Sequence, residues 1–298
     1  MTCSNRRREE LVVVTGASTG IGAATAREFA GRGFHVLAGV RRDVDADALR
    51  ADGIEPLILD ITVDSDVVAI ADRIAADPRR RPLRALINNA GIQLNAPVET
   101  LPIAEWRRMF EVNLFGHVAM TQALLPALLR SSGTVVNISS VGGKVAMATY
   151  GPYAGSKFAL EAVSDALRRE VAAFGIKVVV VEPGAVRTEI AERGIVAADR
   201  LNDGMTLAQV QRYGALTAAI SAQTRSHLAS GVTAEHAANV IAKAATASRP
   251  RMRYAVGRDA AIIVRLARVM SDRLLDRILR LGLRPHYANN SQTSRAAI

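Results

Sequence analysis

With 298 residues, 49% of them hydrophobic, the chain is long enough for one large α/β domain or two small ones, and aromatic residues at 4% leave Val, Ile, Leu and Ala to fill the core. Its single cysteine, Cys3, excludes an internal disulfide and fits a reducing, cytoplasmic setting. The formal charge of +10 suits attraction to polyanions or anionic membranes, but its arginines are spread over many segments, including Arg6 to Arg8, Arg79 to Arg81, Arg168 and Arg169, as on a solvated surface.

Short apolar runs alternate with helix-length stretches along the whole chain. The N-terminus "MTCSNRRREE", expected to be flexible over 1–9, meets the run "LVVV" (11–14), too short for a signal core or a membrane span. Further strands are expected at 35–40, 56–60, 84–88, 133–138, 177–182 and 251–256, all Val/Ile/Leu-rich with little alternation, as in strands covered on both faces. Helices are expected at 20–31, 65–76, 103–130, 153–174 and 233–247, with a kink at Pro126. Strand–helix alternation of this kind predicts an α/β fold: a single doubly wound parallel sheet, here over 10–258, with helices on both faces. Residues 185–232 carry no strand signal and read as a lid over a ligand, 259–284 as a C-terminal helical extension, and 285–298 as a disordered tail.

"LVVVTGASTGIGAATAREFAGRG" reads as strand, glycine turn and helix. Gly16, Gly20 and Gly22 allow a tight turn and a close backbone approach, and the following helix offers free N–H groups to a phosphate, a dinucleotide site. The second strand ends in "GVRRD". Arg41 and Arg42 stand where a 2′-phosphate is read, so NADP is preferred, while Asp43 leaves NAD open.

"YAGSK" places Tyr153 and Lys157 one helical turn apart, in a chain whose other lysines are Lys144, Lys177 and Lys243. A pair at this spacing is ordinarily a solvated one. A cation within about 4–6 Å of a phenol nevertheless lowers its pKa by roughly one to three units, which makes a tyrosine serviceable as an acid/base.

Seven motifs in order now resemble the short-chain dehydrogenases/reductases in their single-domain Rossmann form: "TGASTGIG" (15–22), "LD" ending at Asp60, "NNAG" (88–91), "VNLFG" (112–116), "NISS" (137–140), "YAGSK" (153–157) and "PGAVRT" (183–188). The resemblance spans roughly residues 10 to 258. It implies Tyr153 as catalytic acid/base, Lys157 as its electrostatic partner bonded to the nicotinamide ribose, Ser140 as the group orienting the reacting oxygen, and Asn113 as the holder of a relay water. It also implies a cofactor lined by Gly16, Ser18, Thr19, Gly20, Ile21 and Gly22, by Asp60 beside the adenine, by Asn89, Ala90 and Gly91, and by Pro183, Gly184, Val186 and Thr188 around the carboxamide. No metal is expected, and a homodimer or homotetramer is.

The implied reaction interconverts a secondary alcohol and a carbonyl with NADP(H) or NAD(H). The lid residues Ile190, Ile195, Val196, Met205, Leu207, Val210, Leu216 and Ile220, and the C-terminal end, resemble those of relatives acting on steroid-like, retinoid-like or aliphatic substrates. On one helical wheel over 259–281, Arg265, Arg268, Asp272, Asp276 and Arg280 share a side, and Val264, Ala267, Leu274, Ile278 and Leu281 the other. Such a helix packs on its own sheet, on another subunit, or on a membrane surface. A dinucleotide-binding regulator without turnover is the alternative reading. A nucleic-acid binder is a third, and the chain has no binding module for it.

Overall fold

The structure, a computed structural model, describes residues 9–267 and 269–287; residues 1–8 with Cys3, Arg268, and the tail from 288 lie outside the described residues. Seven strands form one parallel sheet in the order β3-β2-β1-β4-β5-β6-β7. They are β1 (Leu11–Val14), β2 (His35–Val40), β3 (Ile54–Ile58), β4 (Leu83–Asn88), β5 (Thr134–Ile138), β6 (Lys177–Pro183) and β7 (Arg253–Val256). Among and after them run α1 (Gly20–Gly31), α2 (Asp43–Leu49), α3 (Asp64–Ala75), α4 (Ile103–Phe110), α5 (Gly116–Ser131), α6 (Gly151–Glu170), α7 (Glu189–Asp203), α8 (Leu207–Ala229), α9 (Ala234–Thr246), α10 (Arg258–Ala267) and α11 (Asp272–Leu283).

Alternation along the strands splits the core into two halves. Val12, Val14, Val36, Ala38 and Ile87 pack with Phe29 of α1 and Ile241 of α9. Leu11, Val13, Leu37 and Leu86 pack on the other face with Ile70 of α3 and with Met120, Leu124 and Leu128 of α5. Each such side chain larger than alanine contributes about 1.5–3 kcal/mol on burial, which is why apolar runs without polar alternation settle as central strands. Strand order reverses between β1 and β4, so the loops leaving these two strands diverge and open a crevice at the sheet's carboxyl edge.

Several boundaries differ from the sequence expectation. The third strand lies two residues early, at Ile54–Ile58, because Val36 pairs with Ile54 and the Asp60 N–H is instead taken by the Asp66 carboxylate. Helix α2 was not expected; Asp43 and Asp45 in its first turn suit the positive end of a helix dipole. The stretch 103–130 is interrupted by a π-helical turn at Glu111–Phe115, and α5 continues through Pro126. Ile103–Ser131 is long and apolar enough to cross a membrane by length and composition, yet Met109, Met120, Leu124 and Leu128 are buried in the protein.

The lid segment contains α7 and α8, and its ends are joined. Val186 and Val232 form a parallel bridge, with Arg187 N–H donating to the Val232 carbonyl at 3.0 Å and Val232 N–H to the Ala185 carbonyl at 3.0 Å. The C-terminal extension is two helices, so the single wheel over 259–281 is corrected. The break before Asp272 resets the phase: Leu275, Leu279 and Leu283 turn inward, while Leu274, Ile278 and Leu281 are 43–47% exposed. Leu283 packs with Tyr150, Ala154, Ala219 and Ile220. Arg284–His286, at the start of the expected tail, form a 3-10 turn.

Candidate active site

The crevice at the β1–β4 switch is a cleft of about 1240 Å³. Its floor is the glycine turn. Gly16 has φ +63° and Gly20 φ +55°, conformations that a side chain would strain. A Cβ at position 22 would stand 2.2 Å from the Gly16 carbonyl oxygen and 2.5 Å from Asn89 Nδ2, so only glycine fits there. The Thr19 side chain caps none of the first-turn N–H groups of α1. Ser18, Thr19, Ile21 and the three glycines all line the cleft.

The turn after β4 is fastened to the turn after β1. Thr15 Oγ1 accepts from the backbone N–H groups of Asn89 and Ala90, each at 3.0 Å, and Asn89 Nδ2 donates to the Thr15 carbonyl at 2.9 Å. Asn113 sits in the π-helical turn, fully buried. Its amide holds Ile92 at both backbone groups, accepting at 2.8 Å and donating at 2.9 Å, and also donates to Ser156 Oγ at 3.1 Å. Asn113 therefore lies behind the cleft wall, while Asn89, Ala90 and Gly91 form the wall itself.

Tyr153 and Lys157 stand on α6, four residues apart, and Ser140 follows β5; all three line the cleft. Ser140 Oγ accepts from Gly142 N–H at 3.0 Å, which fixes the hydroxyl in front of Tyr153. Its neighbour Ser139 is buried with its hydroxyl unpartnered among the described residues, so the two serines are not interchangeable. Lys157 Nζ donates to the Ile138 carbonyl at 2.8 Å and lies 6.0 Å from the Tyr153 ring centre.

The protein's own groups set a starting point opposite to the lowered phenol expected beside Lys157 and an oxidised nicotinamide ring. Burial pushes Tyr153 up to about 12, against a smaller opposing pull from the Ser140 hydroxyl. Burial brings Lys157 down to about 8, while the Glu161 carboxylate supports its charge. The low-dielectric surroundings thus penalise both charged forms.

At the far end, Arg41 and Asp60 line the cleft, and Asp60 Oδ1 accepts from Thr62 N–H at 3.0 Å and from its hydroxyl at 2.7 Å. Arg42 is not brought into the cleft; it pairs with Asp45 through two hydrogen bonds of 2.8 and 2.6 Å. Pro183, Gly184, Val186 and Thr188 line the opposite wall. Of the lid residues named from sequence, Ile190 reaches the main cleft, whereas Val196, Leu207 and Val210 are 51%, 84% and 45% exposed.

Three contributors escaped the sequence reading. His117, one turn beyond Asn113, is buried and neutral. Burial and repulsion by Lys157 push it down to about 3, and it shares a 2.6 Å hydrogen bond with the Ala90 carbonyl through Nε2, which therefore carries the proton. Its spacing from Asn113 was the available signal. Tyr150 packs edge-on against Tyr153, with ring centres 6.4 Å apart, and its hydroxyl meets Thr224 of α8 at 3.2 Å. Arg193 of α7 donates to Thr19 Oγ1 at 3.1 Å, a contact that no local pattern announces.

These residues fit a nicotinamide dinucleotide: a cradle that any Cβ would fill, an uncapped helix start, and a cleft running from there to Tyr153. The sequence pattern of the short chain dehydrogenase family matches residues 10–195. Human retinol dehydrogenase 16 is 34% identical over 91% of this chain and 88% of its own. The NADPH-dependent 3-dehydrocapnine reductase of Ornithobacterium rhinotracheale is 33% identical over 89% of this chain and 94% of its own. A short-chain dehydrogenase structure from Streptomyces avermitilis superposes with a TM-score of 0.71 at 30% identity, covering 93% of this chain and 95% of that one. On cleft, motif order and similarity together, the chain belongs to the short-chain dehydrogenase family of NAD(P)-dependent oxidoreductases.

Proposed function

We propose that the chain interconverts a hydrophobic secondary alcohol and its carbonyl, with NADP(H) preferred over NAD(H). The observation that carries this reading is the convergence of Ser140, Tyr153 and Lys157 on one cleft whose other end is the glycine turn. Gly16 to Gly22, Asp60, Asn89 to Gly91 and Pro183 to Thr188 would hold the cofactor, and Arg41 would meet a 2′-phosphate. The bound nicotinamide supplies the hydride.

In the reducing direction Tyr153 is the proton donor. A phenol pushed up to about 12 stays protonated at neutral pH and is still a far stronger acid than an alcohol, so transfer to a developing alkoxide is downhill. Ser140 hydrogen-bonds the same oxygen, where charge accumulates. Lys157, tied to Ile138, holds a positive charge near the phenolate formed, and Asn113 braces the Ile92 backbone behind the cleft wall. Oxidation reverses these steps.

A hydrophobic substrate is supported by Val141, Val145, Met147, Ile263 and Leu279 along the cleft, and by a relative named for retinol. The NADP preference is supported by Arg41 at the adenosine end and by a relative named NADPH-dependent. The exposed Phe115, Phe158 and Val163 near α5 and α6 support a homodimer or homotetramer, and the single cysteine supports a reducing, cytoplasmic setting.

The test is absorbance at 340 nm with each cofactor against a panel of retinoid, steroid and aliphatic alcohols and ketones. Tyr153→Phe is expected to lose at least about 100-fold in kcat while still binding cofactor. Undiminished turnover in that variant would overturn the mechanism.

A further inference from the structure

The lid reaches the glycine turn through one side chain. Arg193, on the second turn of α7, donates from Nη2 to Thr19 Oγ1 at 3.1 Å, joining residues 174 apart in sequence, and its side chain, 63% exposed, lines the cleft. Its other contacts lie within its own helix and are longer: Nε to the Glu189 carbonyl at 3.3 Å and Nη2 to the Glu189 carboxylate at 3.4 Å. The guanidinium is thus parked at the N-terminus of α1, where the helix carries about half a positive charge and its first N–H groups lack a side-chain cap.

The Glu189 carboxylate at 3.4 Å offsets the guanidinium's charge only through a long, exposed contact, so two positive ends facing each other across a neutral hydroxyl still favour an anion between them. A hydroxyl also uses only one of the five donors of a planar fork built for phosphate or carboxylate. We propose that Arg193 is a phosphate-binding residue carried by the lid, exchanging Thr19 for the pyrophosphate of the dinucleotide. Lid closure is thereby tied to occupancy of the glycine turn. The inference rests on the dinucleotide reading above.

The pyrophosphate, and not the 2′-phosphate, is the partner on two grounds. Thr19 marks the helix start that receives the pyrophosphate in a turn of this geometry. The arginines at the end of β2 serve the adenosine end, where Arg41 lines the cleft and Arg42 is engaged by Asp45; Arg193 also acts on Asp45 at a distance, but its hydrogen bond outside its own helix goes to Thr19. The consequence is an order of events. Ala191, Gly194 and Ala197 of the same helix already line the cleft, so a cofactor that holds Arg193 more firmly than Thr19 does also holds this part of the substrate wall.

Dissociation constants for NADPH and NADH, measured by calorimetry on the full chain, test this with Arg193→Gln and Arg193→Lys. Arg193→Gln is expected to weaken both dinucleotides by a similar factor of roughly tenfold, and Arg193→Lys to recover part of it. Hydrogen exchange across Glu189–Asp203 supplies a second readout: ADP slows it in the wild type and not in Arg193→Gln, and adenosine slows it in neither. Unchanged affinities, a loss confined to NADPH, or ADP protection that survives in Arg193→Gln would each overturn the proposal. A wild-type chain that binds neither dinucleotide would overturn the cofactor reading, and this inference with it.

Discussion

Lys157 hangs from the end of β5 by its 2.8 Å bond to the Ile138 carbonyl, 6.0 Å from the centre of the Tyr153 ring. The ammonium is anchored to the sheet, so its position relative to the phenol does not depend on α6 alone. Lys157 is almost wholly buried and Tyr153 partly so, and burial dominates both of their shifts.

That burial has a signature in stability. Lys157 titrates near 8 when folded against an ordinary value of 10.5, so between those pH values the unfolded chain binds the extra proton. Stability therefore rises with pH across the window and is lost again as pH falls through 8. Lys157→Met is expected to remove this slope, with the wild type losing roughly 3 kcal/mol relative to it between pH 10.5 and 7. Urea unfolding at a series of pH values measures it; parallel profiles for the two proteins would refute it.

His117 acts in the same sense at acid pH. Its folded value is about 3, below the ordinary 6.5, so stability is complete above 6.5 and drains as pH falls toward 3. Asp77, held far below the ordinary carboxylate range first by the Arg81 guanidinium, adds its own loss only below about 3.8. Acid unfolding of His117→Gln should consequently be flatter between pH 6.5 and 4 than that of the wild type. The variant should also bind cofactor more weakly, because the Ala90 carbonyl loses its partner.

The glycines give a matched pair. Gly22→Ala places a methyl 2.2 Å from a backbone oxygen and is expected to cost more than about 3 kcal/mol and to abolish cofactor binding. Gly31→Ala meets nothing within 4 Å at the end of the same helix and should be neutral or stabilising by up to about 1 kcal/mol. Thermal melts with and without NADPH distinguish the two.

Arg41 and Arg42 are adjacent in sequence and separable in role. Arg41→Ala is expected to weaken NADPH roughly tenfold or more with little change for NADH. Arg42→Ala should leave both within about threefold, since it breaks only an exposed pair with Asp45. Equal losses in the two variants would place the 2′-phosphate elsewhere.

The sheet and the glycine turn were legible because their signals are local. Runs such as Leu11 to Val14, buried on both sides, leave no polar alternation, and α1 begins and ends at the residues expected from Gly20 to Gly31. The helices of the lid were not legible, because Val196, Leu207 and Val210 are solvent-facing and no face of α8 is uniformly apolar. The C-terminal wheel failed at the break before Asp272, since a helical phase carries across residues only while the helix does. Tyr153 and Lys157 were legible as a pair, but their environment was not. The walls that raise the phenol come from distant segments, and a lysine four residues away says nothing about how dry its surroundings are.

The Val186–Val232 bridge has one more implication. By clasping the two roots of the excursion, it makes the intervening helices a replaceable cartridge. A graft cut at those roots leaves the seven strands paired as they are, but a new cover has to restore what Ala219 and Ile220 give Tyr150 and what Arg193 gives Thr19. Because the entropy of closing a loop grows only logarithmically with its length, cartridges of very different size cost the host little. Exchanging the cover of such a chain would alter its grip on substrate and on cofactor together, since Thr188 and Arg193 travel with it.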